Sequence, residues 1–204
     1  MNFAYLLYRF FTLHRILRKY YYFFYNKMLL VLAGAKVGKR LMAVNHVYWD
    51  IAKKSIVNIG DCFTIYSGDA LNPLSKNIRS AIYVADNAVL KIGSYTGVSS
   101  SCIWVKESVT IGNHVNIGAN CVIIDTDAHC LDWRVRITEN DTKNAKSSPI
   151  VIGDNVLIGT GCVILKGVTI GENSVIGAGA VVAKSIPSNC IAAGNPARII
   201  KYLD

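Results

Sequence analysis

From Ile152 onward the chain places an aliphatic residue at every sixth position: Ile152, Ile158, Ile164, Ile170, Ile176 and Val182. Gly153, Gly159, Gly171 and Gly177 each follow one of these directly, and the fifth place of each hexad (Val156, Cys162, Val168, Ser174, Ala180, Ile186) is mostly small. A period of six fits neither an α-helix, which returns near 3.6, nor a half-buried strand, which alternates at two. It predicts a triangular solenoid. Each hexad makes one flat side and one corner, three hexads make a coil, and coils stack as parallel strands about 4.8 Å apart. The aliphatic residue points inward on every side, and glycine or asparagine accepts the corner dihedrals.

The frame reads upstream as Ile111-Gly112, Ile117-Gly118 and Ile123, and more weakly as Ile59-Gly60, Val84-Ala85 and Ile92-Gly93. Between these blocks the spacing slips, as from Trp104 to Ile111, which reads as a bulge or corner insertion that solenoids tolerate. About six coils are expected. One polar segment, LDWRVRITENDTKNAKSS, has no hexad register and should leave the prism as a loop over residues 130–149. The expected fold is all-β: a parallel β-helix of hexapeptide repeats over residues 41–204, with an N-terminal helical segment over residues 1–40 and one excursion loop.

Composition supports one core, since 52% of the 204 residues are hydrophobic and only 17% charged. Charge is concentrated at the start. Residues 1–40 hold Arg9, Arg15, Arg18, Lys19, Lys27, Lys36, Lys39 and Arg40 with no acidic residue, so they carry +8 of the formal +9. This stretch is aromatic and aliphatic but is cut by cations, with no charge-free run of about 18 residues to span a bilayer. Cations throughout the apolar region and the lack of a small-residue cleavage site also speak against a signal peptide. Two readings stay open: a helix or helix pair capping the solenoid end, or an interfacial helix on an anionic membrane surface. No nucleic-acid-binding motif accompanies the charge. The six cysteines show no metal-like spacing and read as reduced packing residues of a cytoplasmic protein, one that on the interfacial reading sits at the inner face of the cell membrane.

Residues 109–129 (VTIGNHVNIGANCVIIDTDAH) and 149–201, closing on GAGAVV, IP and AAGNPAR, resemble the hexapeptide-repeat acetyltransferases. They are most similar to the maltose and galactoside O-acetyltransferases and to relatives that O-acetylate capsule, lipopolysaccharide or nodulation-factor sugars. The resemblance implies a left-handed coil, a homotrimer, acetyl-CoA as co-substrate, no metal, and a sugar or glycan acceptor. Acetyl transfer to an alcohol needs a base, donors for the developing oxyanion and a long site for the coenzyme A arm.

His129 is the candidate base. It falls six residues after Ile123 at the root of the loop, a costly inward place for an imidazole unless the ring faces a cleft; the family's catalytic histidine also precedes such a loop. Asp125 and Asp127 alternate with His129, so an extended strand would put all three on one face. Asp127 is the candidate partner of Nδ1 and Asp125 a candidate acceptor-binding residue, although either could bind the acceptor or shape the turn. Where the family has an acceptor-contacting asparagine, this chain has Ser99, Ser100 and Ser101; Ser99 and Ser100 are the candidates, so the acceptor's identity is open. The resemblance further implies that Thr160, Ala178 and Ala183 contact the pantetheine arm by their backbone, with Lys184 beside it and Arg198 and Lys201 at its phosphates. Leu157 stands where family members often carry Trp.

Other classes fit less well. A γ-type carbonic anhydrase needs three histidines around zinc, and none lies in residues 130–204. A sugar- or membrane-binding scaffold without turnover would not keep the GNPAR stretch. Within acyl transfer, the alternative is an N-acetyltransferase of an amino sugar nucleotide or of a small molecule.

Overall fold

The computed structural model describes residues 2–68 and 72–204, with the side chains of residues 14–16, Arg15 among them, outside the described part. A single helix, α1, spans Phe3–Leu32 and is capped by the Asn2 side chain, which accepts the Ala4 N–H at 3.1 Å. No glycine or proline interrupts these 30 residues, so nothing breaks the ladder. Gly34, at φ +76°, then turns the chain into the first strand, Lys36–Val37. The prism therefore begins at residue 36, not 41. The expected boundary followed the cations at Lys36, Lys39 and Arg40, but charge on outward side chains does not prevent a strand from pairing.

Three sheets of parallel strands form the prism. Sheet A stacks Lys36–Val37, Ile56–Ile59, Val89–Ile92, Ser108–Ile111, Ile150–Ile152 and Thr169–Ile170. Sheet B stacks Met42–Val44, Thr64–Tyr66, Gly97–Ser99, Asn116–Ile117, Leu157–Ile158, Val175–Ile176 and Cys190–Ala193, the last pairing antiparallel with the closing strand Arg198–Tyr202. Sheet C stacks Tyr48–Ile51, Ala81–Val84, Cys102–Val105, Val122–Ile124, Val163–Leu165 and Val181–Val182. Six coils result, each running A to B to C.

The hexad residues from Ile152 to Val182 are all at most 1% exposed, so the inward frame is the one the period predicts. It also runs without a slip through Val105, Ile111, Ile117 and Ile123, all buried. Trp104 lies outward between Ile103 and Val105, packing edge-on against Tyr83 at 5.6 Å; its apparent slip arose from taking this aromatic as an inward residue. Glycine matters most where coils touch. A Cβ on Gly159 would lie 2.6 Å from the backbone nitrogen of Ala178.

Corners are held by side chains reaching between coils. At the A/B corner, Arg40, Cys62, Tyr95, His114, Asn155, Asn173 and Asn189 each adopt a left-handed φ of 55 to 59°. Asn155, Asn173 and Asn189 form a ladder of 2.9 Å amide bonds, while Tyr95 and His114 stack as parallel rings 4.9 Å apart. At the B/C corner the thiols of Cys121 and Cys162 donate to the carbonyls of Gly159 and Gly177. Contact with Cys162, and then burial, push the Cys121 thiol up, consistent with packing cysteines.

Two excursions leave the prism where one was expected. The first lies between Tyr66 and Ala81, at the B/C corner of the second coil, and contains a short 3-10 turn, Pro73–Ser75. It was missed because the hexads of this half are irregular, so extra residues there look like slips. The second leaves after Ile124, five residues earlier than expected, returns at Ile150, and holds a short helix, α2, over Trp133–Arg136. Its two limbs close through Asp127 N–H to Lys146 O at 2.9 Å and Ser148 N–H to Asp125 O at 2.9 Å.

The end of α1 caps the first coil. Leu30 and Asn26 are fully buried. The Asn26 amide donates to Asn45 O at 2.8 Å and accepts from Val47 N–H and from the Trp49 indole N–H at 3.0 Å. Tyr22 and Tyr25 each bring a ring to 5.6 Å from His46.

Candidate active site

The C/A corner of the fourth coil, where the second excursion departs, gathers the polar chemistry. The strand ends at Ile124, and Ala128 turns the chain with φ +61°. Asp125, Asp127 and His129 therefore do not share an extended strand, and each meets different partners.

Asp125 turns into the corner. It is fully buried, and its carboxylate accepts the N–H groups of Lys106, Glu107 and Ser108 at 2.7, 2.8 and 2.8 Å. The expected acceptor-binding role is corrected: this carboxylate satisfies the turn that leads from the third coil into the fourth and is closed to solvent. Asp127 pairs with Lys166, the corner lysine of the next coil, at 3.3 Å. It does not hold the His129 ring, because the turn at Ala128 carries the histidine away from it.

His129 is not at an inward place. Its side chain is 64% exposed, because the excursion lifts it off the prism and Ile152 takes the stacking position above Ile111. Its Nδ1 lies 2.5 Å from Oδ2 of Asp141, which is 16% exposed. The other oxygen of Asp141 accepts the Cys130 N–H at 2.7 Å. The His129 ring first, and then the Cys130 N–H, hold the Asp141 carboxyl below its ordinary range. With Nδ1 donating to a carboxylate, Nε2 carries the lone pair and is the basic nitrogen of the ring. Asp141 was missing from the sequence-based set. It lies on the returning limb of the excursion, in a segment without periodicity, and only its acidity in a polar loop could have drawn notice.

Two sets of the other candidates fall on opposite edges of sheet C. Lys184 and Ala183 follow the strand Val181–Val182 and lie on the C/A edge, with His129 and Lys166. Thr160 and Ala178 follow sheet-B strands and stack on the B/C edge, where Thr160 donates to Ala119 O at 2.6 Å and its carbonyl accepts from Gly179 N–H at 2.8 Å. Ser99 is on the same edge, lining a hollow with Tyr66, Asn72 and Pro73. Ser100 beside it is fully buried, at φ 39°, with its hydroxyl enclosed, which rules it out as an acceptor contact. Arg198 and Lys201 are exposed on the closing strand, opposite Ala193 and Ile191. Three exposed cations at this end (Lys184, Arg198, Lys201) suit a polyphosphate. Among the described residues, no group of three or more His, Cys, Asp or Glu side chains is placed to hold a metal ion.

The strip of sheet C between these edges faces outward with apolar residues. Val122, Val163 and Val181 form one row in register, and Trp104, Ile124 and Leu165 another.

Comparison with known proteins adds the kinship. A family described as "Bacterial transferase hexapeptide (six repeats)" matches residues 149–184, and "Hexapeptide repeat of succinyl-transferase" matches residues 108–124. A 2,3,4,5-tetrahydropyridine-2,6-dicarboxylate N-acetyltransferase of Halalkalibacterium halodurans is 36% identical over 62% of this chain, which spans half of that enzyme's length. WbbJ of Escherichia coli (strain K12), named for O-acetyl transfer in lipopolysaccharide biosynthesis, is 33% identical over 71% of this chain and 71% of its own. A hexapeptide-repeat acetyltransferase from Vibrio cholerae O1 biovar eltor, solved with acetyl coenzyme A, superposes with a TM-score of 0.50 at 28% identity, covering 81% of this chain and 72% of that one. Six coils built on inward aliphatic hexads, together with the extent of the WbbJ match, place the chain in the hexapeptide-repeat transferase family.

Proposed function

We propose that this protein transfers the acetyl group of acetyl-CoA to a hydroxyl of a sugar in a glycan or glycan precursor, on a left-handed β-helix. The observation that carries the reading is the His129–Asp141 pair: an exposed imidazole whose Nδ1 is held at 2.5 Å by a carboxylate, leaving Nε2 free to take a proton. Acetyl-CoA supplies the acyl group as an activated thioester. Nε2 of His129 removes the proton of the acceptor hydroxyl as its oxygen bonds to the acyl carbon. The resulting imidazolium, stabilised by Asp141, returns that proton to the departing sulfur. Proton and charge balance, and the residue ends as it began.

The assigned residues divide between the two edges of sheet C and the closing strand. Arg198 and Lys201 are assigned to the phosphates, Thr160, Ala178 and Ala183 to the pantetheine arm with Lys184 beside it, and Ser99 to the acceptor. In one chain these lie on two edges. A homotrimer in which the C/A edge of one copy meets the B/C edge of the next would unite them and cover the apolar strip of sheet C. WbbJ favours a sugar hydroxyl as acceptor. N-acetylation is the second reading, favoured by the similarity to the H. halodurans enzyme, and it would use the same base.

The test is acetyl-CoA-dependent release of free thiol across a panel of sugars, amino sugar nucleotides and cell-envelope glycans. Acceptor-dependent turnover is expected with a hydroxyl acceptor, falling about 10²-fold or more in His129→Ala while coenzyme A binding is retained. Turnover only with amine acceptors would select the second reading, and failure to bind coenzyme A would end both.

A further inference from the structure

The helix α1 presents an apolar stripe that its own prism does not cover. Phe3, Phe10, Leu17, Phe24 and Val31 recur every seven residues, with Leu6, Leu13 and Tyr20 between them at steps of three and four. At about 100° per residue these positions share one side of the helix, within an arc of roughly 100°. Every one is exposed, from 44% at Leu13 to 73% at Phe3. The prism instead takes the opposite side, through Tyr22, Asn26 and Leu30. The uncovered stripe extends the full length of the helix.

Charge distinguishes the occupants that such a stripe could meet. Arg9, Lys19 and Lys27 are exposed on the rest of the helix, and the first acidic residue of the chain is Asp50. A second copy of α1 would bring the same cations and no carboxylate, so a helical bundle would lack the ion pairs that set coiled-coil partners and would repel itself. The spacing is that of a coiled-coil seam, but aromatic rings fill four of its eight positions (Phe3, Phe10, Tyr20 and Phe24), where such seams take Ile, Val and Leu, and Lys27 stands at the next place in the series. An anionic lipid surface supplies both missing partners: acyl chains for the stripe and phosphates for the cations. No helix among the described residues is long and apolar enough to cross a membrane, so the helix would lie in the interface.

We infer that α1 docks this protein on an anionic bilayer, lying along the headgroup boundary with its apolar stripe in the lipid and the prism held on the aqueous side. The inference stands on the geometry of α1 and does not rest on the acetyl-transfer reading.

Full-length protein is sedimented with vesicles of phosphatidylcholine alone or mixed with phosphatidylglycerol, at low and high salt. Binding is expected to the mixed vesicles, weakening with salt. Leu17→Glu/Phe24→Glu should reduce it about tenfold or more, and Lys19→Glu/Lys27→Glu at least about fivefold. All four positions are exposed, and unchanged far-ultraviolet circular dichroism would show that the fold is kept. Equal binding to both vesicle types, or binding unaffected by the stripe variant, would overturn the inference. So would a lipid-free oligomer that dissociates in the stripe variant, because copies of α1 would then cover the stripe.

Discussion

Asp125, Asp127 and Asp141 are all acidic residues near one histidine, yet backbone direction gives them three different roles. Asp125 faces the corner and accepts three N–H groups, Asp127 faces Lys166, and Asp141 returns on the far limb to meet His129. A carboxyl held low by its partners contributes stability that is present above its unfolded value and lost as pH falls through the folded one. For Asp141 the His129 and Cys130 contacts lower the folded value, so its anchoring of the excursion should persist down to the ordinary carboxylate value of about 3.9 and fail below it. The Cys130 amide proton, donated to Asp141, reports this directly. Its chemical shift should titrate with a midpoint below that value, and Asp141→Asn should abolish the titration; a midpoint at or above it would refute the anchoring.

The strands are short, several of two residues, and owe their persistence to stacking on neighbours above and below. Close approach at the corners is therefore an element-scale requirement. A Cβ at Gly159 would meet the backbone nitrogen of Ala178 at 2.6 Å, whereas one at Gly97 would meet only the side-chain oxygen of Asn116 at 3.3 Å. Backbone cannot move aside without parting two coils, but a side chain can rotate. Gly159→Ala is expected to cost about 2 kcal/mol or more of stability and Gly97→Ala clearly less, read as denaturation midpoints; equal losses would show that coil contact does not set the difference. The non-glycine corners at Tyr95 and His114 pay some backbone strain and regain contact through their stacked rings.

At the scale of the molecule, two apolar surfaces stand out among the described residues: the outward strip of sheet C and the stripe of α1. They differ in the charge around them. The strip of sheet C is flanked by the two edges that carry the candidate site, which suits a second copy, while α1 itself carries cations and no carboxylate. Val163→Lys, in the middle of the strip, should shift the native mass from a trimer toward a single chain and reduce turnover with it, as followed by light scattering and the thiol assay. A trimer that survives this change would place the subunit contact elsewhere.

The period of six determined the prism because it is a local rule repeated many times: an inward aliphatic residue and a small or turning residue in every hexad leave few other ways to bury the pattern. The inward residues Ile111, Ile117 and Ile123 and those from Ile152 to Val182 could be read without coordinates, as could the helical character of the first residues and the departure of a loop near His129. Tertiary structure alone decided which carboxylate meets the imidazole, because the path of a loop without periodicity places Asp141 beside His129 while a single left-handed turn at Ala128 removes Asp127. It also decided which side of α1 the prism covers. Both depend on where segments distant in sequence come to lie, and no repeat in the chain encodes that.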